Sequence, residues 1–394
     1  MSGRAPLVAF GGAAAMALAM GIGRFAYTPI LPAMHRETGL SPDAAGLLAM
    51  LNFLGYTLGT LWPLFARRLG YAPGPKTAVR WGVAACLACA LAMAAGDTVP
   101  LWGLVRFAAG VASAITMIYA SALVLDALAR AGAQTAAGIH YGGVGAGITA
   151  SGLMVLVLER AAVGWRGMWV GAALLILLLA PLVLLTVTRR ARGARAAPPA
   201  PAAEPAARAR NPWWLVGAYG CSGLGFIVSG TFLPLIAAQD PATAPYAAFS
   251  WMLLGIAAIA SNVFWARVAA RRGATVALVA QYALQALGVV LPVLSATPAA
   301  IAASGLILGA TFMGIVTVAN AEARTLAPQR TAEMLALMTA CYSVGQIVGP
   351  PVAGLIATRS GSFDGGLLLA AAALLAGIVL LALDRRAAAH AGRG

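Results

Sequence analysis

The chain has 394 residues, 61% of them hydrophobic and only 9% charged, with a net charge of +15. A soluble surface needs about 25% charged residues, so an ordinary water-soluble domain is excluded and an all-α, polytopic membrane protein is expected. In a soluble chain this charge would point to nucleic acid. Here the basic residues lie mostly in short loops between apolar runs, so the expected partner is the lipid bilayer and no nucleic acid.

Apolar runs of about 20 residues suffice to cross a bilayer. Twelve are expected, at residues 7–33, 45–66, 78–96, 100–125, 135–158, 166–188, 212–237, 246–266, 274–294, 299–321, 333–357 and 365–383. The first resembles a signal peptide at its start, but its apolar character continues through Met34, so it is read as a span. Alternate loops share 20 Lys and Arg, against Arg36, Arg160, Arg166 and Arg359 in the other set. That asymmetry makes the basic loops cytoplasmic and puts both termini inside a bacterial inner membrane. The division expected is a six-helix bundle at 1–188, a cytoplasmic linker at 189–211 and a second six-helix bundle at 212–394. The linker, RRARGARAAPPAPAAEPAARARNP, is too rich in Pro, Ala and Arg to bury a core.

The two halves are related. GIGRFAYTPILP, from Gly21 to Pro32 with Pro29 inside it, returns as GLGFIVSGTFLP after an offset of 202 residues, with Phe226 where the first copy has Arg24. Broken apolar segments at corresponding places in two halves point to a transporter binding site. Both copies are therefore expected to be interrupted helices, with Gly21, Gly23, Pro29 and Pro32 shaping the first. The same offset carries Gly143, Gly147 and Gly152 onto Gly345, Gly349 and Gly354, while Gly110 pairs with Gly309 at an offset of 199. Small residues every fourth position let helices approach closely. Pro350 and Pro351 add an expected kink.

These residues resemble the major facilitator superfamily over essentially the whole chain. The likeness rests on the 6 + 6 spans with a basic linker, GYTLGTLWPLFARRLG from Gly55 to Gly70, RFAAGVASA from Arg106 to Ala114, and GQIVGPPVAG from Gly345 to Gly354. Within it, GIGRFAYTPILP resembles the first-helix signature of the YbfB/YjiJ-type bacterial transporters. The resemblance implies a pseudo-symmetric pair of bundles that exposes one site to each side in turn. The chain departs from the superfamily in two places. Arg67 stands where an aspartate is usual in the second-to-third loop, and Ile148 follows Gly147 where a proline is usual.

Arg24 and Arg106 lie within spans 1 and 4, and no Asp or Glu falls deep in any span. A charge inside the membrane costs several kcal/mol and is a functional-site hypothesis by default. Guanidinium groups without a carboxylate invite an anion, so both are candidate substrate ligands. The alternative is that they brace backbone carbonyls freed at the Gly and Pro breaks. The superfamily resemblance links the position of Arg106 to proton coupling. His140 is the buried group with a reference pKa near neutrality and the first candidate proton carrier, with Asp126 and Glu322 near the basic ends as rivals. Tyr27, Tyr119, Asn320, Gln281, Gln285, Tyr342 and Gln346 are polar groups able to line a cavity.

Cys86, Cys89, Cys221 and Cys341 all sit in apolar runs and read as small hydrophobes, so no metal or cofactor is expected. GYAPGPKT has the wrong spacing for a phosphate loop, and motifs for an enzyme or an ATP-driven pump are missing. The expectation is a monomeric, proton-coupled secondary transporter whose partners are protons and a small organic solute, with a lean toward an organic anion. Proton-driven efflux of amphiphilic drugs or metabolites is the alternative, and a transporter-like sensor a more distant one.

Overall fold

A computed structural model describes residues 4–189 and 212–391, except 69, 71 and 72. The expected linker lies outside the described residues apart from Arg189. Among the described residues there are twelve helices long and apolar enough to cross a membrane: Ala5–Thr38, Pro42–Pro63, Pro75–Ala95, Val99–Arg130, Gln134–Arg160, Trp165–Thr188, Trp213–Ala238, Ala244–Arg272, Ala274–Leu294, Pro298–Leu326, Glu333–Ser360 and Asp364–Leu383. They are numbered spans 1 to 12 below. Several run past the apolar segment to a local stop. Span 1, for example, ends at Gly39, whose φ of 69° and N–H bond to the His35 carbonyl close the last turn, a conformation glycine adopts without Cβ strain.

The small-residue positions are where helices meet. A Cβ on Gly143 would come within 2.1 Å of the Ala13 carbonyl oxygen, and one on Gly147 within 2.4 Å of that of Ala17. Gly21 faces the Gly147 backbone in return. Spans 1 and 5 therefore touch backbone to backbone. In the second half Gly223 meets the Tyr342 carbonyl and Gly345 the backbone of Leu224, which is the duplicate contact between spans 7 and 11. Gly110 against the Asn52 carbonyl and Gly309 against the Leu254 carbonyl repeat spans 4 and 2 as spans 10 and 8. The bundles meet each other along spans 5 and 8, where Gly145 packs on Gly255, and along spans 2 and 11, where Gly46 packs on Pro350 and Gly354 on Pro42.

The first copy of the repeated segment is broken as expected. Span 1 is α-helical to Met16, makes a wide π-helical turn over Ala17–Ile22, loosens, and resumes as an α-helix at Tyr27–Thr38. Gly23 N–H reaches back five residues to Leu18 and Phe25 N–H five to Met20. Pro29 has no amide to give the Phe25 carbonyl. The Thr28 amide takes that carbonyl instead, at 3.1 Å, and the Arg24 carbonyl is left without its helical donor.

The second copy is not broken, which corrects the expectation of two interrupted helices. Span 7 is one continuous α-helix, Trp213–Ala238, with Pro234 inside it. The repeat carries Thr231 where span 1 has Pro29, so the amide that span 1 lacks is present and the helical ladder closes. Span 11 likewise stays a single helix, Thr331–Ser360, through Pro350 and Pro351.

Toward the arginine-poor end the bundles are hydrogen-bonded to each other. Thr28 Oγ1 donates to the Gly230 carbonyl at 3.0 Å, and Thr358 Oγ1 donates to the Asp43 carboxylate at 3.1 Å. Span 1 from Ala14 to Met34, Gly23 excepted, and span 7 from Gly225 to Leu235 are buried throughout.

The seams predict unequal tolerance of a methyl group. On Gly147 it meets fixed backbone, whereas on Gly349 its nearest neighbour is a side-chain methyl, Cγ2 of Ile227, at 2.9 Å. Gly147→Ala should cost about 1–3 kcal/mol by overpacking and lower Tm in detergent, Gly349→Ala should cost clearly less, and Gly74→Ala, which has open space, should change stability by no more than about 0.5 kcal/mol and leave Tm near the parent's.

Candidate functional site

The carbonyl released in span 1 has a partner. Arg106 Nη2 on span 4 donates to the Arg24 oxygen at 3.2 Å, and the Asn52 amide on span 2 donates to the Arg106 carbonyl at 2.8 Å. The Arg106 guanidinium lies over the Tyr27 ring, 4.5 Å from its centroid, while the Tyr27 hydroxyl donates to the Ala45 carbonyl at 3.0 Å. Arg106 is 2% exposed. It borders a void of about 10 Å³ lined also by Gly23, Cys86, Cys89 and Trp169, roughly what one water centre needs. Of the two readings the sequence left open for Arg106, these contacts are those of the brace within the first bundle.

Arg24 behaves differently. Its Nη2 donates to Gln346 Oε1 at 2.9 Å, across 322 residues of chain and from one bundle to the other. The guanidinium lies over three ring faces of its own bundle, 3.8 Å from the Tyr56 centroid, 4.8 Å from Phe53 and 5.1 Å from Phe25. It is 4% exposed, and its Nε has no hydrogen-bond partner among the described residues. A desolvated guanidinium with a free N–H, held by aromatic faces and one neutral amide, can accept an anion or a strong hydrogen-bond acceptor.

The second bundle supplies a facing wall. Tyr342, one turn before Gln346, packs against Tyr219 with ring centroids 4.7 Å apart. Asn320 on span 10 hydrogen-bonds the side chain of Tyr219. On the arginine-poor side, Phe25 meets Trp251 and Phe312 edge-on, each at 6.3 Å, and Phe312 stacks on Phe226 at 4.2 Å. Arg24, Gln346, Tyr342 and Asn320 are thus brought into one inter-bundle cluster.

Other candidates fall elsewhere. Tyr119 is partly exposed on span 4, about 200° around the helix from Met117, whose sulfur accepts from Tyr56. Gln285 bonds Thr311 at 3.2 Å and Gln281 the Ala277 carbonyl at 3.1 Å, both buried within the second bundle. His140 is fully buried between spans 1, 4 and 5, its Nε2 3.0 Å from Ser121 Oγ. A Cβ on Gly12 would lie 2.5 Å from its Nδ1, so that glycine makes room for the ring. Asp126 pairs with Arg130 one turn on, and Glu322 sits near the arginine-rich end of span 10, next to the Thr325 hydroxyl. None of the three proton-carrier candidates adjoins Arg24.

Sequence reasoning missed Tyr56, Phe53, Tyr219, Phe312 and Trp251. Tyr56 lies inside the GYTLG run, which carries the superfamily likeness, and the others are aromatic residues in spans apolar all round, where periodicity marks no face.

Comparison with known proteins agrees with this architecture. A family model described as "Uncharacterised MFS-type transporter YbfB" matches residues 16–382. No curated protein matches the sequence. Among solved structures, a crystal structure of the nucleoside transporter NupG superposes with a TM-score of 0.75 at 13% identity, covering 96% of this chain and 99% of that one; at that identity the likeness is one of fold. With 367 consecutive positions of its sequence spanned by the family model, the chain belongs to the YbfB-type family of MFS transporters.

Proposed function

We infer that the protein is a secondary transporter that carries a small organic solute across the bacterial inner membrane by alternating access, with a lean toward an organic anion. Residues 1–188 and 212–394 rock against each other around the Arg24 site. Residues 189–211 join them on the cytoplasmic side, where both termini lie, and the protein acts as a monomer. The observation that carries this reading is the Arg24–Gln346 bond. That bond joins a buried cation, with no carboxylate partner among the described residues, to the opposite bundle.

The contacts at the arginine-poor end support a state closed to the outside. Arg106 serves the site by holding the Arg24 carbonyl. Coupling to protons is assigned to His140, with Asp126 and Glu322 as rivals. The aromatic wall of Phe25, Trp251 and Phe312 favours export of amphiphilic compounds as a second reading.

Counterflow in proteoliposomes with labelled carboxylates tests the anion. A charge-assisted hydrogen bond is worth about 1.5–3 kcal/mol, so Arg24→Gln should lower uptake at least about tenfold; undiminished uptake in both Arg24→Gln and Arg106→Gln would overturn the anion reading. His140→Gln should abolish pH-driven accumulation and spare exchange, and normal accumulation would remove His140 from the coupling path. Export predicts that cells lacking the protein become more sensitive to amphiphilic dyes, and unchanged sensitivity counts against it.

A further inference from the structure

Separation of the bundles breaks a particular set of contacts near Arg24: the bond to the neutral amide of Gln346 and the rings of Phe312 and Trp251 on Phe25, while the Tyr56, Phe53 and Phe25 faces stay on the guanidinium within the first bundle. Apart from that amide, every contact in the set involves an aromatic ring. Two buried donors, Arg24 Nε and Trp251 Nε1, have no hydrogen-bond partner among the described residues, and both belong to side chains that touch or adjoin Phe25. A solute that occupies the site must replace flat apolar contacts beside one buried cation.

We propose that the transported solute is a planar aromatic or heteroaromatic carboxylate, its carboxylate on Arg24 in place of the Gln346 amide and its ring between the aromatic side chains of the two bundles. This rests on the anion reading above and narrows it. Ring faces prefer offset or edge-on aromatic partners beyond the area they bury, and a carboxylate is a stronger acceptor for guanidinium than an amide. The guanidinium itself is faced by three aromatic rings, which suits a flat solute better than a puckered polyol.

Purified protein is titrated with benzoate, cyclohexanecarboxylate, benzamide and uridine, reading Tm, and the same compounds compete in counterflow. Benzoate should bind at least about tenfold more tightly than cyclohexanecarboxylate, which has the same charge and a puckered ring. Tyr342→Leu should shrink that ratio and Tyr342→Phe should keep it, so loss of a ring is separated from loss of fold. Arg24→Gln should remove the response to both carboxylates. Equal binding of benzoate and cyclohexanecarboxylate, both lost in Arg24→Gln, overturns the aromatic inference and leaves the anion reading intact. Benzamide or uridine binding as well as benzoate, unaffected by Arg24→Gln, overturns the anion reading and this inference with it. No response to any of the four compounds overturns the inference as well.

Discussion

One missing amide organises the site. Pro29 cannot bond the Phe25 carbonyl, so the Thr28 amide turns to it and the Arg24 carbonyl is stranded at membrane depth. An unsatisfied carbonyl there costs several kcal/mol, and the donor that relieves it comes from another helix, Arg106 on span 4. Because Asn52 in turn holds the Arg106 backbone, spans 1, 2 and 4 are tied together at the break. The π-helical turn and the close contact of Gly21 with Gly147 then set the rotation at which span 1 re-emerges. A guanidinium in an uninterrupted helix would not be positioned by these ties.

The energetics of Arg24 follow from its company. Insertion scales put an arginine in the bilayer centre at about 2.5–3.5 kcal/mol, and each ring face beneath a desolvated cation returns about 0.5–2 kcal/mol. Three faces therefore offset much of the cost without any counter-charge. A carboxylate partner would have stabilised the cation further, but it would also have locked it, since breaking a buried ion pair costs about 3–5 kcal/mol. The amide of Gln346 holds Arg24 with a weaker, neutral acceptor. Such a bond is exchanged at lower cost than a buried ion pair, and it joins the two bundles.

Much of this was legible in the residues. The spans, the duplication and the glycine seams follow from apolar run length and from small residues at fixed spacing, because both rules act through backbone geometry that sequence states directly. Arg24 and Gln346 were recognisable as polar groups in an apolar setting, though nothing in the sequence paired them across 322 positions. The aromatic wall escaped because a helix buried on every side has no periodicity to betray its facing. Span 7 shares the glycines and Pro234 with span 1, which suggests the same break, yet it carries Thr231 where span 1 has Pro29, the single position that decides whether the ladder closes.

That single position belongs to a wider asymmetry with a physical cause. Thr28 and Gly230 differ by the 202-residue offset of the duplication, yet they touch, and a residue can touch its own duplicate only beside the axis that relates the halves. At that contact the Thr28 hydroxyl donates to the Gly230 carbonyl, while a Cβ on Gly230 would press on the Phe226 ring of its own helix at 3.0 Å. Arg24 and Phe226, the pair one turn away, have diverged in chemistry: Arg24 bonds Gln346 in the other bundle, and Phe226 stacks on Phe312 within its own. Like charges at both copies of a position beside the axis would repel at a low effective dielectric, so divergence there lets the halves close.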